Sequence, residues 1–292
     1  MSSGAVVVTG VSSGIGRAVA EDLVGRGFRV FGSVRRDADA EALRNALGAG
    51  FEALRFDVTD EAAVRREAAR VRELLGGEPL AGVVNNAGMT SGGPLMHQPA
   101  AEILETFRVN ALSAVVVSQA FLPLLGARRG FTGRPGRIVN ISSVGGRIVA
   151  PFAAAYQGAK HALEAYSDAL RRELLVYGID VVVIQPGSTR TTIWDKTRDI
   201  DMAPYRDTDF AEPLERFLRY SLDLGSRGYP PERVARVVHT ALTARAPRAR
   251  YAVVPGRLLN WDLPRALPDR WLDRVMARAF GLRRLAGRGA DA

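Results

Sequence analysis

Tyr156 and Lys160 stand four residues apart in the stretch AAAYQGAKHALEAY, residues 153–166. Positions i and i+4 share one helix face, so the two side chains can meet if the stretch is helical. A free phenol ionises near pH 10, too high to exchange protons at neutral pH. An ammonium group one turn away favours the phenolate and lowers that value. Lysine is scarce in this chain: of 40 basic residues only Lys160 and Lys196 are lysines. Its compact head can also reach a sugar hydroxyl, where the planar arginine fork is bulkier. With 7 tyrosines among 292 residues, chance yields about 0.05 such pairs.

A second stretch, TGVSSGIG, places glycines at 10, 14 and 16 between an apolar run and a helical pattern. Gly10 allows a tight turn, Gly14 lets backbone approach a phosphate, and Gly16 lets the helix sit close on a sheet. Amides at the helix start then face the anion. The spacing is G-x-x-x-G-x-G and not the common G-x-G-x-x-G, so a glycine-rich turn without a ligand stays open. Val34 is followed by Arg35 and Arg36, with Asp37 close by. A carboxylate at that strand tip binds a ribose 2′-hydroxyl, whereas an arginine accommodates a 2′-phosphate. The sequence thus favours NADP over NAD, with a solvated loop charge as the plain alternative for Arg35. Ser142 and Ser143 end another apolar run, where a hydroxyl can hold a reacting oxygen beside the phenol. Asn110 interrupts the apolar stretch FRVNALSAVVV. A buried asparagine needs partners; it either distorts its helix or anchors a water that relays protons to Lys160.

The elements that must position these residues alternate. Short apolar strands are expected at 5–10, 28–34, 51–58, 80–88, 136–143 and 179–187, with a possible seventh at 250–254. Helices are expected at 14–27, 38–47, 60–75, 100–122, 152–177 and 231–244. Strands this apolar are buried on both faces, which implies an α/β fold: a doubly wound, mainly parallel seven-stranded sheet with helices on both faces. Ligands bind beyond the carboxyl ends of such strands, and every cluster above falls at such an end. Residues 1–255 read as one domain, with 188–228 as a lid. Residues 256–292 read as a basic helical extension, with an amphipathic helix over 264–285 interrupted at Pro268.

Composition narrows the function. There is no cysteine, so disulfide and thiolate chemistry are excluded. His97, His161 and His239 are not at ligand spacing, so no metal site is expected. Net charge is +9, but 11 arginines against 4 aspartates lie from residue 245 onward, leaving only +2 on the rest. The basicity belongs to the tail, and nucleic-acid binding is not expected. The N-terminus lacks a charged leader, and no window approaches the ~18 apolar residues of a membrane span. A soluble, cytoplasmic protein is the expectation.

Together these motifs resemble the short-chain dehydrogenase/reductase family. They are Thr9-Gly10-x3-Gly14-x-Gly16, Asp57, Asn85-Asn86-Ala87-Gly88, Asn110, Ser143, Tyr156-x3-Lys160 and Pro186-Gly187-x3-Thr191. The resemblance implies a Rossmann-type fold with Tyr156 as general acid/base and Lys160 as its tuner and ribose anchor. It implies Ser143, chosen over Ser142 by its spacing to Tyr156, as substrate-oxygen donor, and Asn110 in a proton relay. It puts Gly10, Ser12, Ser13, Gly14, Ile15, Gly16 and Arg35 at the phosphates. Asp57 and Val58 fall at the adenine and Asn86, Ala87 and Gly88 along the cleft, with Pro186, Gly187, Thr189 and Thr191 at the carboxamide and phosphates. The C-terminal part looks like the steroid and retinol dehydrogenase branch, which implies a lipophilic alcohol or ketone. The family also implies a homodimer or homotetramer through 100–125 and 152–177. Contact of the basic tail with a membrane surface is the less favoured reading. A non-catalytic NADP-binding sensor or scaffold and a nucleotide-sugar epimerase are the competing functions.

Overall fold

Val6, Val7 and Val8 are wholly buried, because β1 (Ala5–Val8) runs through the middle of a sheet. The computed structural model describes residues 4–284. Its other strands are β2 (Arg29–Val34), β3 (Phe51–Arg55), β4 (Leu80–Asn85), β5 (Arg137–Ile141), β6 (Asp180–Pro186) and β7 (Arg250–Val253). Their order is β3-β2-β1-β4-β5-β6-β7, and every neighbouring pair is parallel. The order reverses between β1 and β4, so a crevice opens beyond their carboxyl ends.

Helices cover both faces. On one, α1 (Gly14–Gly25), α2 (Asp37–Leu47) and α9 (Pro231–Thr243) bury Val19, Leu23, Leu43, Val234 and Val238 against the sheet. On the other, α3 (Glu61–Leu75), α5 (Ser113–Phe121) and the 3-10 turn Leu174–Tyr177 that follows α6 (Ala154–Glu173) bury Val64, Val71, Val117, Phe121 and Leu174. The Asp60 carboxylate caps α3 by accepting from Ala63 N at 3.0 Å, which satisfies one orphan first-turn amide.

Between α4 (Ala100–Phe107) and α5 the helix widens into a π turn, Arg108–Leu112, with Asn110 buried inside it. The continuous helix Ala100–Leu125 is, contrary to the sequence expectation, long and apolar enough to cross a membrane by length and composition. Its Val117, Phe121 and Leu125 pack in the core, so it is explained as a core helix.

Segment 188–228 carries α7 (Ile193–Arg198) and α8 (Ala211–Ser226). Its core is aromatic. Phe152, just before α6, packs edge-on to Phe210 at 6.1 Å and Phe217 at 5.7 Å. Phe152 has φ +66°, costly for a bulky side chain and held here by that burial. The C-terminal segment is helical on both sides of Pro268, with the interruption where it was expected. A π turn (Leu258–Asp262) leads into α10 (Leu263–Ala266), the chain breaks at Leu267 and Pro268, and α11 covers Asp269–Phe280. Phe280 packs on Phe217 at 5.4 Å and Tyr220 at 5.7 Å, so α11 rests on α8. Residues 285–292 of the expected extension lie outside the described residues.

Candidate active site

The tips of β1 and β4 are tied where the sheet order reverses. Thr9 Oγ1 accepts from the amides of Asn86 (2.9 Å) and Ala87 (3.0 Å). Asn86 Nδ2 donates back to Thr9 O (2.9 Å) and Gly10 O (3.1 Å). Asn86 therefore braces the glycine loop with its side chain. Gly10 (φ +70°) and Gly14 (φ +58°) need left-handed backbone. A Cβ on Gly16 would sit 2.2 Å from Gly10 O and 2.3 Å from Asn86 Nδ2, so the loop's own backbone demands this glycine more than helix–sheet packing does. Ser12 and Ser13 are exposed at the mouth, Ile15 is half-buried, and the Ser13 hydroxyl does not cap α1. The first-turn amides are thus left for an anion. A Cβ on Gly14 would lie 3.2 Å from Thr191 Cβ, and Thr192 Oγ1 donates to Ser13 Oγ at 3.3 Å. The loop after Pro186 and Gly187 therefore closes over the glycine loop. Thr189 is fixed there, its hydroxyl donating to Gly187 O (3.2 Å) and its carbonyl accepting from Trp194 Nε1 (2.7 Å).

Arginines dominate the tip of β2. Arg36 makes a fork on Asp39 at 2.9 Å on both arms. Asp37, the carboxylate nearest the tip, is taken by Arg55 at 2.6 Å. Arg35 is 75% exposed and reaches Asp57 only at 3.8 Å, so its fork is the free one. Burial pushes the Asp57 carboxyl up, but the amide and hydroxyl of Thr59 with the charges of Arg35 and Arg108 hold it below its usual range. Val58 beside it is buried.

Ser143 closes β5. Its Oγ accepts from Gly145 N at 3.0 Å. A Cβ on Gly145 would lie 3.4 Å from Ser143 Oγ and 3.5 Å from Tyr156 Cε1, so hydroxyl and phenol ring border one space. Ser142 is buried, and its Oγ faces the Gly146 backbone. Of the two hydroxyls, that of Ser143 is the one beside the Tyr156 ring. Lys160 is buried beneath, 5% exposed, its Nζ donating to Ile141 O at 2.9 Å and lying 5.9 Å from the Tyr156 ring centroid.

The electrostatics correct the expectation for the pair. Burial pushes the Tyr156 phenol up, and the Ser143 hydrogen bond pulls it part of the way back. Burial therefore decides the direction of the shift, and the neighbouring Lys160 Nζ is hydrogen-bonded to the β5 carbonyl. Burial instead lowers Lys160 to about 8, opposed by Glu164.

Asn110 is fully engaged as a donor. Its Nδ2 donates to Met89 O (2.9 Å) and Thr106 O (3.0 Å), and its Oδ1 accepts from Met89 N (3.0 Å). The side chain staples the segment after β4 to the π turn, so no relay can start from its amide hydrogens. A Cβ on Gly88 would lie 2.8 Å from Asn110 Oδ1 and 3.9 Å from Lys160 Nζ, which puts Gly88 between them.

Two buried networks escaped the sequence reading. Asn85 donates to Asn140 Oδ1 (2.8 Å), and Asn140 donates to Ser167 Oγ (2.8 Å), linking β4, β5 and α6. Glu164, 4% exposed, accepts from Gln185 Nε2 and Arg250 Nε, both at 2.9 Å, and pairs with Arg147 at 3.3 Å. Glu164 follows Lys160 by the same four residues that separate Lys160 from Tyr156, a spacing that signals a shared face.

A sequence model of the family described as short chain dehydrogenase matches residues 4–201. The chain belongs to that family. Among relatives of this short-chain dehydrogenase is the NADPH-dependent 3-dehydrocapnine reductase of Ornithobacterium rhinotracheale. It is 39% identical over 269 residues, covering 92% of this chain and 94% of that one. Retinol dehydrogenase 16 of Mus musculus is 34% identical over 275 residues, covering 88% and 80%. A solved short-chain dehydrogenase from Streptomyces avermitilis has a TM-score of 0.75 at 28% identity, covering 95% of each chain. This short-chain dehydrogenase is thus an oxidoreductase that uses a nicotinamide cofactor on CH–OH groups, and the cradle where a Cβ would not fit suits a dinucleotide.

Proposed function

We propose that the chain is an NADPH-dependent reductase that converts a lipophilic ketone or aldehyde to its alcohol. The observation that carries this is the single space bordered by Ser143 and Tyr156 above the buried Lys160. The bound cofactor supplies the hydride. Ser143 donates a hydrogen bond to the substrate oxygen, and Tyr156 gives that oxygen its proton. Burial keeps the phenol in its protonated form, the form that can donate. Lys160 anchors the ribose, and Asn110 acts by holding Met89 and the cleft wall. Gly10, Ser12, Ser13, Gly14, Ile15 and Gly16 take the phosphates, Asp57 and Val58 the adenine. Ala87 and Gly88 line the cleft, with Pro186, Gly187, Thr189 and Thr191 closing it. The relatives named as a 3-dehydrocapnine reductase and a retinol dehydrogenase support the substrate class. A homodimer or homotetramer through α4–α6 is part of the same reading, supported by the exposed Leu104, Leu112 and Tyr166. Turnover of a panel of long-chain ketones, steroids and retinoids with NADPH and NADH tests the proposal; activity with NADH alone would overturn it.

Cofactor choice rests on the free fork of Arg35. An arginine–phosphate fork contributes roughly 1.5–3 kcal/mol. Arg35→Ala is expected to lower kcat/KM for NADPH about tenfold or more and to leave the NADH value nearly unchanged. Equal losses with both nucleotides in a steady-state assay would remove Arg35 from the 2′-phosphate.

The lysine gives a pH signature. Below about pH 8 Lys160 is an ammonium; above it the charge is lost. Affinity for NADPH, read by fluorescence titration, is therefore expected to weaken roughly tenfold as pH rises from ~7 to ~9.5, as a charge-assisted hydrogen bond becomes neutral. Lys160→Met is expected to bind more weakly and without that slope. A flat wild-type profile would count against the ribose-anchor role.

A further inference from the structure

Lined by none of the residues assigned to the cofactor, an open pocket of about 400 Å³ lies between β7 and the helical turns after it. Arg147, Arg248, Arg250, Arg257 and Arg265 line it, together with Trp261. Charges this close repel unless they are compensated. Glu164 serves Arg147 and Arg250, Asp168 serves Arg250 at 2.9 Å, and Asp262 serves Arg257 at 3.2 Å. Five guanidinium groups thus meet three carboxylates. Among the described residues Arg248 has no carboxylate partner, and the charge of Arg265 lies over the Trp261 ring at 4.6 Å. That leaves an excess of two positive charges at a concave surface.

We propose that this cavity binds a tetrahedral oxyanion, a phosphate, sulfate or sulfonate group. The planar guanidinium fork matches the oxygens of such a group, and several forks converge on one space. The segment that carries the site has a second side. Arg257, Trp261 and Arg265 recur every four residues and line the cavity. Leu258, Leu259 and Leu263, interleaved with them, are exposed to solvent. Arginines inside and leucines outside suit a head group with an acyl chain attached, so the oxyanion has two sources, a free ion or an anionic lipid.

The test uses the full chain, with and without saturating NADPH, so that anion binding at the cofactor loop is counted separately. Inorganic phosphate is titrated by calorimetry. Vesicles of phosphatidylcholine, alone and with phosphatidylglycerol, are tested by co-sedimentation. Arg248→Gln and Arg265→Gln serve as variants, both residues being exposed. Should Arg265→Gln disturb folding by unstacking Trp261, Arg248→Gln decides alone. Each variant is expected to weaken binding about tenfold, as loss of one charge-assisted contact does. Phosphate binding that falls in the variants, without preference for anionic vesicles, upholds a free-ion site. A preference for phosphatidylglycerol vesicles that the variants lose upholds a lipid head-group site. Absence of both, or binding unchanged in Arg248→Gln, overturns the proposal.

Discussion

Tyr156→Phe is expected to lower kcat by roughly 10²–10⁴-fold, the range that a positioned acid contributes. The change removes one oxygen from a ring that is already partly buried, so folding and NADPH affinity should stay near wild type. On the proposed reading the phenol gives up the proton: Lys160 donates to Ile141 O, and Ser143, whose Oγ accepts from Gly145 N, keeps its hydroxyl hydrogen to hold the substrate oxygen. Steady-state turnover beside a nucleotide titration checks this. Full turnover in the variant would sink the proton-donor assignment, and absent turnover in the wild type with intact NADPH binding would favour the sensor reading.

Gly16→Ala is expected to abolish nucleotide binding. The new methyl would lie 2.2 Å from Gly10 O and 2.3 Å from Asn86 Nδ2. Neither neighbour is a flexible tip: one is backbone, and the other holds Thr9 O and Gly10 O. Relief must move the glycine loop out of line with β4, so overpacking costs about 1–3 kcal/mol as well. Thermal melting should fall by several degrees, roughly 2–4 °C per kcal/mol for a chain of this size. NADPH binding at wild-type strength would show that the loop does not form the phosphate cradle.

Much of this architecture was legible because it rests on local pattern. Runs such as that at Val6–Val8 can only be strands buried on both sides, and their alternation with helices fixes a parallel sheet. The Tyr156–Lys160 spacing needed nothing beyond the helical repeat. What stayed hidden depends on distant neighbours. The acceptor for Lys160 is a carbonyl on β5, 19 residues away, and the partner of Glu164 on β7 is 86 residues away. No spacing rule predicts either. The direction of the Tyr156 shift was missed for the same reason: burial is set by the elements packed around it and outweighs the hydrogen bond to Ser143. Asn110 was read as an odd polar residue in an apolar helix, and only the π turn shows how its amide reaches Met89. The break at Pro268 was foreseen, but the docking of α11 depends on Phe217 and Tyr220, supplied by α8.

That docking sets where selectivity can be altered. The rings of Phe280, Phe217 and Phe152 form one line from the last described helix to the residue four positions before the proton donor. Changes near the carboxyl end of the chain therefore bear first on how segment 188–228 packs, while Tyr156 stands on α6 and Ser143 just past the end of β5. Such a layout lets new specificities arise by editing the chain's extremity and leave the chemical step as it was.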